Sequence, residues 1–107
     1  MTLPKIIRVG ALDYTVKVDE DLTDLGGCNV DTLAFYLRAG LPAQKTCEVL
    51  IHEILHACYD GASLAKSGKL TEEQVVNGLG YQLVQVMRDN PALLEFVGEV
   101  FGHGVAA

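Results

Sequence analysis

Apolar and polar residues alternate near the start of the chain. Lys5–Val9 is rich in Ile and Val, and in Asp13–Val18 the residues Tyr14, Val16 and Val18 fall on one face, with Thr15 and Lys17 on the other. Period-two alternation around Gly10 predicts a β-hairpin. Asp19 to Asn29 is acidic and Gly-rich and reads as a solvated connection. Its acids lack the regular spacing and the closing Glu of a calcium loop. Thr32–Arg38 alternates again, with Leu33, Phe35 and Leu37 against Thr32, Ala34 and Tyr36, and predicts a third strand.

The period then changes from two to 3.6. Ala43 to Tyr59 reads as a helix whose buried side is Cys47, Ile51, Ile54, Leu55 and Cys58, stopped at Gly61. Ser63–Leu70 is a loop. Thr71 opens a second long helix, with Gln74 completing a capping box and Glu72 and Glu73 in the first turn, where the dipole favours acids. Its apolar residues are Val75, Val76, Leu79, Leu83, Val86 and Met87. Asn90-Pro91 places an N-cap and a first-turn proline at the start of a third helix that runs to Gly102. The expected fold is α+β: a small antiparallel sheet of about three strands packed on the first helix, then a Glu-bearing helix and a short C-terminal one. Residues 1–107 form one domain.

Half the residues are hydrophobic, enough for a core. A net charge of −6 argues against nucleic acid or an anionic membrane as partner. No apolar run is long enough for a membrane span, and Met1–Lys5 lacks the features of a signal peptide, so a cytoplasmic location is expected. Cys28, Cys47 and Cys58 form neither a complete set of disulfides nor a C-x-x-C pair. Cys47 and Cys58 read as core thiols.

The candidate chemistry lies in the first helix. His52-Glu53-Ile54-Leu55-His56 reads H-E-x-x-H. Residues four apart share a helix face, so both imidazoles can hold one metal ion. Glu53, rotated by about 100°, can reach a water on that ion. Two His ligands with a Glu general base is the arrangement of a zinc hydrolase. Such a pattern also arises by chance, and a His pair is often only a surface feature. Here the helical context is strong, and two of the chain's three His lie inside the motif.

A catalytic zinc takes three protein ligands and keeps one position open. Asp60 continues the row of His52 and His56, but the three span roughly 12 Å along the axis, too far for one ion. His103 sits near the C-terminus and reads as a polar tail residue. Glu72 and Glu73 remain. Spacing does not choose between them, and an acid in a first helical turn needs no metal to explain it.

In the stretch from Thr32 to about Pro91 the chain resembles gluzincin metallopeptidases in their smallest form, including the ImmA/IrrE-like and phage-encoded ones. In these, H-E-x-x-H lies on one helix and a Glu ligand on the next, followed four residues later by Asp or Asn. Glu73-Gln74-Val75-Val76-Asn77 fits that pattern in kind. The resemblance implies Glu73 as third zinc ligand and Asn77 as a partner holding a His tautomer. The expected activity is hydrolysis of a peptide or amide bond, with Tyr59 or Tyr81 as candidate oxyanion donors. It also implies that Thr32–Arg38 binds an extended peptide or protein substrate by strand addition. The rival reading is a zinc-stapled structural or protein-binding module, of phage origin, without catalysis.

Overall fold

The structure is a computed structural model describing residues 2–66 and 68–102. It is α+β. Strands β1 (Ile6–Val9), β2 (Leu12–Asp19), β3 (Gly26–Asn29) and β4 (Ala34–Arg38) precede helices α1 (Ala43–Gly61), α2 (Glu72–Asp89) and α3 (Pro91–Phe101). A short 3₁₀ turn, Leu64–Lys66, lies between α1 and α2. No helix among the described residues is long and apolar enough to cross a membrane.

β1 and β2 form the expected hairpin, with Ile7 opposite Tyr14 and Val9 opposite Leu12. Gly10 takes a left-handed φ of +62°, which suits the tight turn between them. The sheet order is β1-β2-β4-β3. Two expectations are corrected here. The sheet is mixed rather than antiparallel, because β2 and β4 run parallel. And the acidic connection ends in a strand: Gly26–Asn29 pairs antiparallel with β4. The Asn29 side chain accepts hydrogen bonds from the N–H groups of Asp31 and Thr32, both at 3.0 Å, and so shapes the turn between β3 and β4.

Register assigns the faces. Val16, Phe35 and Cys28 are cross-strand neighbours, as are Val18, Leu37 and Gly26. This face meets α1, and Tyr14 stacks on Phe35 with centroids 4.6 Å apart. Lys17 lies over the Tyr36 ring on the opposite face. The core joins Ile7, Phe35 and Leu37 to Cys47, Leu50, Ile54 and Cys58 of α1, to Val86, and to Leu93 and Phe96 of α3. Cys47 and Cys58 are buried as expected, whereas Leu55 is exposed.

The capping box of α2 forms. Thr71 Oγ1 accepts from the Gln74 N–H at 3.2 Å, and the Thr71 N–H donates to Gln74 Oε1 at 2.9 Å. Asn90 occupies the N-cap position of α3 without capping it. Its amide instead donates to the carbonyls of Arg8 and Val86, and its oxygen accepts from the Arg8 N–H, all within 2.8 Å. That side chain ties the end of α2 to β1.

Candidate metal centre

His52 and His56 sit one turn apart on the exposed side of α1. Their Nε2 atoms approach to 3.2 Å, with the rings inclined at 74°. Two nitrogens bound to one tetrahedral zinc at 2.0–2.1 Å would lie about 3.3 Å apart. The pair therefore has the bite such an ion needs. Glu53 offers a carboxylate oxygen within 4.8 Å of both His, and among the described residues this trio is the group able to hold a metal.

Glu53 differs from its neighbours in burial. It is 6% exposed, at the contact between α1 and β3. Gly26 explains how a carboxylate fits there. A Cβ on Gly26 would stand 2.5 Å from Val49 Cγ1, 2.9 Å from the Tyr36 carbonyl oxygen and 3.1 Å from Glu53 Oε2. A bare backbone at this point lets the helix approach the strand and leaves room for the acid. Gly26 is a site residue that strand periodicity missed. The signal was a glycine pair just before a predicted strand.

Three recesses surround the trio. One lies between α1 and the start of β3, lined by Asp24, Leu25, Glu48, His52 and Glu53. The second runs past Cys28, Glu53, His56, Tyr59 and Asp60. The third is lined by His52, Leu55, His56, Tyr59 and Leu79. Burial first, and then the charges of Glu53 and Asp60, push the Cys28 thiol up to about 11. Burial first, with lesser contributions from Cys28, Asp60 and Cys58, pushes Tyr14 up to about 12.

The position of β3 corrects the strand-addition expectation. Thr32–Arg38 cannot take a further strand, because β4 is flanked by β2 on one side and β3 on the other. The edge left open beside Glu53 is that of β3.

The residues of α2 are distributed differently from the trio. Its inward side is marked by Gly78 against Ala62 and Leu64, Leu79 beside the His pair, Gln82 against Gly61, and buried Val86. Glu72 precedes Leu79 by seven residues and is about 20° from it around the axis. Glu73 is about 120° away, on the outward side. Both acids are exposed, and neither belongs to the trio's group. Asn77 is exposed on the outward side with Glu73. Tyr81 is 77% exposed and lines none of the three recesses. Tyr59 lines two of them. His103 lies outside the described residues. No protein-family model, curated protein or solved structure matches this chain.

Proposed function

We propose that the protein is a zinc-dependent hydrolase of peptide or amide bonds. The observation that carries this reading is the convergence of the His52 and His56 Nε2 atoms at 3.2 Å beside a buried carboxylate on the same helix. Bound there, zinc would acidify a water towards neutral pH and polarise a scissile carbonyl. His52 and His56 would hold the ion through Nε2. The third ligand would come from the first turn of α2. The gluzincin pattern assigns Glu73, while the phase of α2 supports Glu72, and Glu72 is the ligand taken here.

Glu53 is the general base. It lies beside the His pair without sharing their face, so it can take a proton from water and deliver it to the leaving amine. Its carboxylate is buried beside the Gly26 backbone. The open edge of β3 supplies main-chain hydrogen bonds to an extended peptide lying past Glu53. Tyr59, lining two of the recesses, is the candidate donor to the developing oxyanion.

The zinc-staple alternative is weaker on this geometry. A structural site closes four protein ligands around its ion, whereas His52, His56 and one acid of α2 would leave a fourth position open for water. A buried general base has no role in a staple.

Elemental analysis should give one zinc per chain, reduced in His52→Ala and in Glu72→Gln but kept in Glu73→Gln. The opposite result for the two acids returns the ligand role to Glu73. Glu53→Gln should keep its zinc and lose cleavage of a peptide library by about 10² to 10⁴. Chelator-sensitive cleavage surviving in Glu53→Gln would overturn the mechanism.

A further inference from the structure

α2 carries more apolar surface than the fold covers. Only Val86 is buried among its eighteen residues. Val76 at 55%, Val84 at 62% and Met87 at 42% remain exposed, along with Tyr81. With Gly80 these fall on the side opposite the one that meets α1. Glu73, Asn77, Gly80, Val84 and Met87 follow the three-and-four spacing of a helix that pairs with another helix.

We infer that this face binds a second copy of the chain through an antiparallel, two-fold-related pairing of α2 with α2. Two observations choose a second copy as occupant. The first is charge. Glu73 stands at the start of the stripe and Arg88 at its end, and both are exposed. Gly80 is seven residues after Glu73, and Tyr81 is seven before Arg88. A two-fold axis between Gly80 and Tyr81 therefore sets Glu73 against Arg88 of the second copy, twice over. The second is shape. A Cβ on Gly80 would meet nothing within 4 Å, and the same axis brings Tyr81 of the other copy over that open backbone. An isologous contact requires a surface complementary to itself, and this helix face meets that condition in both charge and shape.

The pairing is of the weak class. A helix of eighteen residues is about 27 Å long, and two such helices bury less than the roughly 1,200 Å² of a stable interface. Arg88 also gives up an exposed pair with Asp89, held at 3.1 Å, which contributes little.

Sedimentation equilibrium of the full chain at about 0.15 M salt, from about 10 µM to about 1 mM, tests this. The mass should rise from 11.5 kDa towards twice that value. Val84→Glu should hold the chain monomeric with unchanged circular dichroism. Glu73→Arg and Arg88→Glu should each weaken association by about tenfold, and the double variant should recover it. Far-ultraviolet spectra of the charge variants confirm that each remains folded. A monomer at every concentration overturns the inference. So does a dimer indifferent to Val84→Glu, or a double variant no better than the singles. Zinc content of Val84→Glu separates this result from the hydrolase reading, because Val84 lies on the outward side of α2, outside the trio, and the variant is expected to keep its metal.

Discussion

α1 and α2 are almost equal in length, at 19 and 18 residues, and each has apolar residues at helical spacing. Seven residues of α1 are buried, against one of α2. The difference comes from what each helix meets. α1 lies across the inner face of the sheet and receives α3 on another side, so even Glu53 is drawn in. α2 meets the rest of the molecule along one side, through Gly78, Leu79, Gln82 and Val86, and through Gln85, which accepts from the Gly10 N–H at 2.6 Å and donates to the Arg8 carbonyl at 3.2 Å. The helix that holds the His pair is thus the one with least freedom to shift, as a ligand geometry needs. The helix that would complete the site is held more lightly.

The largest expected contrast is in core truncation. Ile54→Ala should cost about 2–5 kcal/mol, since the side chain is fully buried and leaves a cavity. Val84→Ala should stay within about 0.5 kcal/mol in dilute solution. Urea unfolding of both variants measures the difference, and equal losses would mean that α2 is as deeply packed as α1.

Gly26→Ala comes next. The new Cβ meets the Tyr36 carbonyl, which cannot swing aside, and an expected loss of about 1–3 kcal/mol follows. The variant should retain zinc while cleavage falls, because the His pair is untouched and Glu53 is displaced. Zinc content and peptide cleavage on one sample check this.

Thr71→Ala removes the cap of α2 and should cost about 1 kcal/mol. If α2 is held along one side as described, hydrogen exchange in its first two turns should accelerate while α1 stays protected.

The last effect is on rate. Cys28 is half-buried, and Cys47 and Cys58 are buried. In the metal-free protein Cys28 should be alkylated first, with a rate still climbing towards pH 11 rather than levelling near 9. The sign follows from linkage. The folded chain binds the Cys28 proton more tightly than the unfolded one, so this contribution to stability is present below about pH 9 and is lost as pH rises to about 11. Cys47 and Cys58, whose thiols are also raised by burial, should label only on unfolding.

Local patterns were legible in the sequence where local physics decides the outcome. The β1–β2 hairpin, the Thr71–Gln74 box, the His52–His56 face and the burial of Cys47 and Cys58 all follow from spacing over a few residues. β3 was not legible, because Gly26-Gly27-Cys28-Asn29 has no strand pattern of its own and is a strand only by pairing with β4. The exposure of Leu55, Val76 and Met87 was hidden for a related reason. Periodicity marks an apolar side but not whether anything packs against it. Asn90 looked like a cap because its position was right, yet its bonds go to Arg8, 82 residues away. The two acids of α2 differ by one position; helical phase in the sequence puts Glu72 nearer the centre of the apolar face and Glu73 at its edge, and the seating of Leu79 shows which side of α2 meets the His pair.

The short edge strand has one more consequence. β3 has four residues, two of them glycine, and among the described residues one of its sides is unpaired. Segments of this kind open first in the native state, well before the core lets go. Opening β3 would release the backbone against which Glu53 is seated while leaving the His pair in place on α1. If Glu53 acts as the proposed base, its alignment and the global fold should therefore melt separately. On warming or in mild denaturant, activity should disappear while helical signal and bound zinc persist.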